Sequence, residues 1–525
     1  MLWIALHLPL LSLESFTATL PPGQQQQPVA LIDAHRIVHA NAAALALGIK
    51  PGLKRATALA LAPQLTLGQA DAGRDAQALT SVAHAALAFT PAVTREPWDA
   101  SSAPHSVLLD VQASLRYFGG PKRLLQGLRS AIDPLSHRVQ IASAPTAQGA
   151  ALLARLASAG KSLHCADLPA LTCRLDAAPV WLLGPGREHW EALESMGLRT
   201  LGDLRRLPRA GLARRFGEAL LDELDRALGQ RPDPRLWIDL PEVFESRLEL
   251  FARADTTEQV LHGASILLTR LVAWAAARQV QVRRFTLLMQ HEPRHRSDVS
   301  TPAASQLDIA LAEPSRDVAH MGVLLRERLA HVQLVAPTLD LQLHCCDVAH
   351  RAAPNTELFP TAGSEREGIT RLIERLQARL GPEQIQRLVP LHDHRPERGS
   401  VLQRVDAQQA EAGLRPGRHA RTAQPAASAP AVPAGTTPPA RPVWLLPTPE
   451  ALPERHARPL LDGRPLQLLS GPERIEAGWW DAALAERDYF IAQAADGALV
   501  WVYRARLPLS VAVEAQGWFL QGRFA

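Results

Sequence analysis

The sequence predicts a soluble, multidomain α+β protein. Its 525 residues exceed the roughly 250–300 residues that one hydrophobic core supports. Apolar residues make up 47% and charged residues 21%, a composition typical of globular domains. Strand and helix patterns alternate through residues 1–165, and residues 245–346 repeat them in the order βαββαβ. Together these observations predict several α+β domains in series.

The first 165 residues contain three strand patterns and three helix patterns. Short apolar runs predict strands over 2–7, 106–111 and 138–142. Apolar residues at helical spacing predict helices over 75–88, 120–132 and 146–157. Residues 166–235 follow as short helical patterns broken by Gly and Pro, which predicts a small all-helical domain.

The next segment gives the clearest pattern in the chain. It predicts strands over 246–251, 280–290, about 307–311 and 338–345, with helices over 256–278 and 316–331. Two strand–helix–strand units of this kind form a two-layer, ferredoxin-like domain.

A linker and an aromatic region follow. Residues 405–442 are predicted to be a linker, because 421–442 contains six prolines among small residues. The last 85 residues hold ten of the 25 aromatic side chains. Aromatic residues favour strands and are enriched at protein–protein contacts, so residues 443–525 are predicted to form a β-rich interaction region.

The cysteine content and the N-terminal apolar run predict the cellular compartment of the protein. Four cysteines in this length exclude a disulfide scaffold and favour a reducing environment. The apolar run 2–11 is shorter than the roughly 20 residues of a membrane span and lacks basic residues before it. We therefore expect a cytoplasmic protein with no membrane partner.

Two glycine turns in the helical segment favour a backbone-binding role. The sequence Leu183-Gly184-Pro185-Gly186 precedes one helix, and residues 196–204, with Gly197 and Thr200, contain a second turn. Glycine lets backbone N–H groups approach a phosphate at a helix N-terminus. Tandem helix-hairpin-helix units would bind DNA without reading its sequence. Ordinary helix caps remain the alternative for these glycines.

These parts, in this order, resemble Y-family translesion DNA polymerases. The similarity is carried by residues 4–7 with Glu14, by 41–52, by 108–111 with 118–119, and by 196–204. It implies a right-hand fold. The palm would span 1–165 with fingers inserted at about 16–75, the helix-hairpin-helix thumb 166–235, and the ferredoxin-like little finger 240–348. Residues 349–404 would hold a clamp motif and a helical segment.

The resemblance also predicts that polymerase activity has been lost. The carboxylates that bind two metal ions in the family match Ala5, His105 and Ser106 here. Methyl, imidazole and hydroxyl groups do not form the anionic oxygen site that Mg²⁺ needs. The family's triphosphate-binding residues match Ala42 and Leu45. We therefore expect no catalytic residue, metal or cofactor, with an active polymerase using Asp110 and Glu14 as the alternative.

Partner sites are predicted in and after the little finger. The resemblance places Arg283 and Arg284 on a sheet that contacts the DNA backbone, where arginine–phosphate contacts weaken with salt. Glu357, Leu358 and Phe359 resemble a bacterial sliding-clamp peptide, with 386–391 and 306–309 as rival placements. Residues 368–380 predict an amphipathic helix that packs on the body or binds a partner.

The predicted function is that of an adaptor. Within the family, the long C-terminal extension most resembles the accessory members of bacterial mutagenesis cassettes. That likeness implies a non-catalytic protein that binds primer–template DNA and the sliding clamp. It would recruit an error-prone DnaE-type polymerase and a RecA-like cassette partner during the DNA-damage response. A third hypothesis is a helix-hairpin-helix DNA-binding protein unrelated to polymerases.

Overall fold

The computed structural model describes residues 1–21, 23–96, 105–157, 162–292, 302–350, 362–405, 441–481, 483–506 and 517–524, and only the backbone of 362–368. The chain divides into two compact units, Met1–Arg379 and Leu380–Ala525. Both units combine strands with helices or short helical turns in several separate sheets.

Residues 1–164 form, in chain order, β1 (Trp3–His7), α1 (Leu11–Thr17), β2 (Val29–Asp33), β3 (Arg36–Ala40), α2 (Ala42–Ala46), α3 (Arg55–Leu61), β4 (Thr66–Gln69), α4 (Ala72–Leu87), β5 (Val93–Arg95), β6 (Ser106–Asp110), α5 (Pro121–Ile132), β7 (Gln140–Ala144), α6 (Ala147–Leu156) and β8 (Leu163–His164). The three strands and three helices predicted here are confirmed within a few residues.

A five-stranded sheet, called the central sheet, has the strand order β5-β6-β1-β7-β8. The strand β1 lies antiparallel between β6 and β7. Side chains alternate between the two faces of a strand, so Ile4 and Leu6 share a core with α4 and α5. Trp3 and Ala5 share the other core with α6. Both faces of the central sheet are therefore covered.

A smaller sheet of order β3-β2-β4 lies between α1 and α4 in the sequence. Its core consists of small and branched side chains, including Ile37, Ala44 and Ile49. The Asn41 side chain caps α2 by accepting the backbone N–H of Ala44 at 2.9 Å. This sheet forms a compact insertion into the polypeptide of the central sheet.

The predicted all-helical segment contains six helices, together called the helical domain: α7 (Leu168–Asp176), α8 (Gly184–Glu188), α9 (Trp190–Ser195), α10 (Leu201–Arg206), α11 (Arg209–Phe216) and α12 (Glu218–Ala227). Their buried leucines join the core that contains Ala5 and α6. The helical domain is thus packed onto one face of the central sheet by continuous apolar contact.

The βαββαβ segment forms β9 (Phe244–Ala254), α13 (Thr257–Ala277), β10 (Gln281–His291), β11 (Ala304–Ser315), α14 (Val318–Leu329) and β12 (Thr338–Ala349). The predicted element order is confirmed. The strands pair in the order β11-β10-β12-β9, so the second and fourth strands lie in the centre. A ferredoxin-like unit has its first and third strands there. The predicted ferredoxin-like topology was wrong because pattern fixes element order but not pairing.

The helix α13 is long and apolar enough to cross a membrane by length and composition, and no other helix in the described ranges passes that test. Its apolar face is instead buried, with Leu267, Leu271 and Trp274 fully enclosed in the core beneath the four-stranded sheet. A capping box between Thr256 and Gln259 starts the helix. This is the burial expected of a core helix.

A final helix of the first unit, α15 (Ala362–Leu380), packs beside α14. The buried Glu374 carboxylate accepts the Nε2–H of His320 at 2.7 Å and also accepts the backbone N–H of Ala312. Leu372, on another side of the helix, is 55% exposed. The predicted amphipathic helix is therefore confirmed, but it contacts the body through polar groups.

The second unit is built of strands: β13 (Gln386–Pro390), β14 (Ser400–Arg404), β15 (Trp444–Leu452), β16 (Glu454–Arg455), β17 (Arg458–Leu461), β18 (Arg464–Pro465), β19 (Gln467–Ala477), β20 (Ala485–Gln493), β21 (Leu499–Ala505) and β22 (Gly517–Arg523). Five of them pair in the order β15-β22-β21-β20-β19. Tyr489, Trp501 and Tyr503 are buried in one core, where the Tyr489 ring stacks on Trp501 and contacts Tyr503 at a tilt. Many of the C-terminal aromatics therefore form a core.

Candidate functional site

The ends of β1 and β6 place His7 opposite Ser106. The His7 Nδ1 and the Ser106 Oγ are hydrogen-bonded at 3.1 Å. Burial, followed by the nearby charges of Arg155, His105 and Arg187, lowers the pKa of His7 to about 4. His7 is therefore a neutral imidazole at physiological pH in an electropositive surrounding.

Ala5 lies two residues further back on β1, opposite Leu108 and Ala142. Its side chain has no solvent exposure and is part of the core shared with α6. A carboxylate at this position would be buried among apolar groups, which is costly without a partner. His7, rather than Ala5, is therefore the residue of β1 that pairs with Ser106.

His105 precedes β6 and lies near α1 and α4. Its Nε2 is 3.3 Å from the Ser12 Oγ, and the Ser12 hydroxyl donates to the Asp75 carboxylate. Ser15 donates to the other Asp75 oxygen at 3.0 Å. Burial lowers the pKa of His105, while the Asp75 carboxylate opposes that effect. His105 thus belongs to a buried polar cluster and not to the His7–Ser106 pair.

The alternative carboxylates are not brought to this place. Asp110 ends β6 opposite Trp3, roughly 16 Å along the strand from His105. The Glu14 carboxylate on α1 accepts the backbone N–H of Arg138 at 2.9 Å. Within the described ranges, no group of three or more His, Cys, Asp and Glu side chains could hold a metal ion. Asp110 and Glu14 do not form one site.

The positions that match the family's triphosphate-binding residues are on the surface of the inserted sheet. Ala42 and Leu45 lie on α2, and both are exposed, Leu45 to 48%. Neither carries a hydrogen-bond donor on its side chain. These two side chains offer nothing to a triphosphate.

The first glycine turn of the helical domain is occupied by a carboxylate of the chain itself. The Gly184 backbone N–H donates to Glu223 Oε2 at 3.0 Å, and Gln148 donates to Glu223 Oε1 at 2.8 Å. Burial raises the pKa of Glu223, with the Arg155 charge acting in the opposite direction. The Gly184 amide is thus satisfied by Glu223 within the chain, and its predicted contact with DNA stays a prediction.

Gly186 is a glycine for reasons of packing. It is buried, and a Cβ atom there would lie 2.1 Å from the Val180 carbonyl oxygen. Glycine is therefore required here by a close approach between α8 and the preceding turn, and the predicted contact of Gly186 with DNA stays a prediction.

The two amides of the second turn are both satisfied within the chain. Gly197 has φ +77° and no atom near its missing Cβ, but its backbone N–H donates to the Glu194 carbonyl at 2.9 Å, and its predicted contact with DNA stays a prediction. Thr200 caps α10, and its backbone N–H donates to Asp203 Oδ2 at 3.0 Å. That backbone hydrogen bond from Thr200 is the first cause of a lowered pKa of Asp203. The Thr200 amide predicted to bind DNA is therefore also satisfied within the chain.

Arg283 and Arg284 are both exposed on β10. Side chains alternate along a strand, so only one of two adjacent residues is expected to face away from the helices. A register irregularity between Val282 and Arg284 breaks the alternation, which is why both reach solvent. The two guanidinium groups lie at one end of the four-stranded sheet.

The sheet face away from α13 and α14 is acidic. The paired positions on this face carry Glu245, Glu249, Asp308 and Asp340 as carboxylates, with Arg247 and Arg284 as bases. Arg247 is bound to Asp340 at 2.6 Å. A face with more carboxylates than arginines repels phosphate, so DNA contact over the whole sheet is disfavoured.

The three candidate clamp motifs have different outcomes. Glu357, Leu358 and Phe359 lie outside the described residues. Leu307 and Ile309 are buried in the core of the four-stranded sheet, so the placement at 306–309 was wrong. Residues 386–390 form β13, where Leu388 is 71% exposed.

Sequence reasoning missed the groups that surround His7. His7 ends an apolar run on the same strand face as Ala5, and this alternation was the available signal. Arg155 on α6 donates to the Glu96 carboxylate and to the Leu182 carbonyl, the latter at 3.0 Å. Pattern alone does not reveal that an arginine 148 positions away faces the same space.

The first comparisons concern the class of protein to which this chain is similar. No family model matches the chain. Solved chains titled as a Dbh ternary complex, an insertion ternary complex of Dbh DNA polymerase, and DinB from Sulfolobus solfataricus each align with 66% of this chain. The alignments include 99%, 98% and 98% of those three chains. The sequence identities are 15%, 16% and 16%, and the TM-scores are 0.37, 0.38 and 0.36. Such TM-scores are too low to bear on function.

The curated relatives are more informative. Two are Protein ImuB of Caulobacter vibrioides, from strains NA1000 / CB15N and ATCC 19089 / CIP 103742 / CB 15. Each is 28% identical over 503 residues, covering 91% of this chain and 100% of the relative. The chain is thus similar to ImuB over nearly its whole length, and the resemblance predicted from the sequence is confirmed.

The packing role of Gly186 is testable by adding one methyl group. We expect Gly186→Ala to lower the free energy of unfolding by about 2 kcal/mol or more, because the methyl meets a backbone carbonyl that cannot move away alone. The matched control is Gly211→Ala on α11, where no atom lies within 4 Å. It should change stability by less than about 1 kcal/mol, in the stabilising direction. An unchanged melting temperature of Gly186→Ala with weakened DNA binding would contradict this account.

Proposed function

We propose that this chain is a non-catalytic homologue of Y-family DNA polymerases that acts as an adaptor in translesion synthesis. It binds DNA and the sliding clamp in the cytoplasm after DNA damage, and it brings an error-prone polymerase to the lesion. The similarity to ImuB supports the class of protein. The chemistry of the central sheet supports the absence of catalysis.

The observation that carries the proposal is the environment of His7. The site at the ends of β1 and β6 contains a neutral imidazole, the Ser106 hydroxyl and the nearby Arg155 and Arg187 guanidinium groups. Burial is the largest cause of the low His7 pKa and the Arg155 and Arg187 charges add to it, and both effects also disfavour a divalent cation. Mg²⁺ also needs carboxylate oxygens, which His7 and Ser106 do not supply.

DNA binding is supported by arginines on the surface of the helical domain. Exposed guanidinium groups there with no ion pair among the described residues are Arg174, Arg187, Arg199, Arg214 and Arg215. Arginine side chains contact phosphates directly and do not need open backbone amides. The DNA contact is therefore sequence-independent and salt-dependent, with Gly197, Arg283 and Arg284 as further contacts.

Clamp binding is assigned to Glu357, Leu358 and Phe359. In this interpretation Leu358 and Phe359 enter an apolar cleft of the clamp, as short extended peptides do. The neighbouring helix α15 and strand β12 bound the segment on its two sides. The clamp would then hold the whole chain near the primer terminus.

Recruitment is assigned to the last 85 residues. In the second unit, Trp444, Trp479 and Trp480 are 70%, 78% and 53% exposed, although other aromatics of the same unit are buried. Exposed tryptophans are typical anchors of protein–protein interfaces. By the resemblance to ImuB, the partners are an error-prone DnaE-type polymerase and a RecA-like cassette protein.

The first test is primer extension by the full chain. We expect no nucleotide incorporation above a mock preparation with either Mg²⁺ or Mn²⁺, because the site repels cations and lacks carboxylates. An active Y-family polymerase serves as the positive control. Incorporation that Asp110→Ala abolishes would overturn the proposal in favour of an active enzyme with displaced metal ligands.

The second test concerns the clamp peptide. We expect Leu358→Ala with Phe359→Ala to weaken clamp binding by roughly a hundredfold or more, since each buried side chain contributes about 1.5–3 kcal/mol. The melting temperature and the affinity for bare DNA should hardly change.

The matched control is Leu388→Ala with Leu391→Ala, which alters the rival placement on exposed side chains of the second unit. It should leave clamp binding unchanged. Loss of clamp binding in the control alone would move the motif to residues 386–391, and loss in neither variant would remove both.

A further inference from the structure

A cleft of about 1050 Å³ opens between the central sheet and the helical domain. His7, Glu96 and Arg155 line its side on the central sheet, and residues 233–239 line another. Trp181 and the turn at Gly184 line the helical side. A volume at the upper end of the usual range for ligand pockets holds a few unpaired nucleotides.

Two tryptophans form flat walls of this cleft. Trp181 is 42% exposed and Trp237 is 48% exposed, and both line the cavity. Trp237 is held by stacking on Trp3, with ring centroids 6.0 Å apart and an interplanar angle of 17°. An aromatic ring that is fixed on one side and open on the other is a platform for a nucleobase.

Some of the carboxylates that line the cleft form ion pairs with arginines, and others do not. Glu96 is bound by Arg155, Asp233 by Arg235 at 2.5 Å, and Asp222 by Arg231. Glu223 accepts the Gly184 amide, and burial raises its pKa. These contacts leave Glu223 and Asp239 as the lining carboxylates without an ion pair among the described residues.

Three arginines of the lining have no ion pair among the described residues: Arg95, Arg187 and Arg226. Arg95 donates one hydrogen bond to the Thr80 hydroxyl, and Arg187 is exposed. Set against Glu223 and Asp239, these three arginines leave one positive charge in excess. Guanidinium groups next to aromatic platforms match a phosphate backbone with unpaired bases.

We propose that this cleft binds an unpaired single strand of nucleic acid, with bases stacked on Trp181 and Trp237 and phosphates on Arg187 and Arg226. This inference rests on the DNA binding in the proposed function and assigns it a strand type and a place. The closed amides of Gly184 and Thr200 support it, since the glycine turns do not offer a cradle for a duplex backbone.

The test is a fluorescence titration of a labelled twelve-nucleotide oligothymidine with the full chain, beside a duplex of the same length. We expect Trp181→Ala with Trp237→Ala to weaken single-strand binding about thirtyfold or more, because one stacked base contributes a factor of about five or greater. Trp181→Phe with Trp237→Phe keeps the aromatic faces and should stay within about fivefold of the natural chain.

The matched controls lie outside the cleft. Trp190→Ala removes a tryptophan of similar exposure, 45%, from α9 and should leave the affinity unchanged. Arg187→Glu should weaken binding and lower the log–log salt slope by about 0.7 or more, whereas Arg116→Glu on the surface should not.

The outcomes separate this inference from the proposed function. Duplex binding without single-strand binding, or an equal loss in Trp190→Ala and the double alanine variant, overturns the cleft and leaves the adaptor intact. Failure of the natural chain to bind either oligonucleotide contradicts the DNA binding of the proposed function as well. An unchanged affinity in both the double alanine variant and Arg187→Glu overturns the cleft.

Discussion

The packing of β1 on both faces is the constraint on which the first unit depends. Ile4 and Leu6 face the core of α4 and α5, while Ala5 faces the core that α6 shares with the helical domain. The small side chain of Ala5 has no solvent exposure, so this part of the strand contributes apolar packing to the core. Polar chemistry is displaced to the end of the strand, where His7 meets Ser106.

The position of these polar side chains determines which charges surround the end of β1. Arg155 extends from α6 toward the same end of the strand and is neutralised by Glu96 rather than by a group on β1. Burial, with the charges of Arg155 and Arg187 added, leaves the His7 imidazole with a low pKa. The same burial and charges disfavour the two cations that a two-metal mechanism needs.

Polar groups within the chain also close the surfaces that the family resemblance would use for DNA. Glu223 and Asp203 accept the amides of Gly184 and Thr200, and carboxylates dominate one face of the four-stranded sheet. Glu223 lies far in sequence from Gly184, whereas Asp203 caps the same helix three residues after Thr200. The positive surface that remains is concentrated in side chains of the helical domain and the adjacent cleft.

The sequence predicted elements well and contacts poorly, for physical reasons. Periodicity located α13 and β10 within two residues, because burial of one face imposes a repeat. The strand order around β12 was not predictable, because pairing depends on contacts between distant segments. Gly186 illustrates the limit most clearly. A glycine needed for phosphate access and one needed for a carbonyl contact look alike in sequence.

The most direct test of the central claim is an NMR titration of His7 in the full chain with labelled histidine, assigned by loss of the signal in His7→Gln. The account predicts an imidazole pKa of about 4 that does not change on addition of Mg²⁺, because buried, positive surroundings already disfavour cations. A pKa at or above the ordinary value for histidine, or a clear response of that signal to Mg²⁺, would contradict the account.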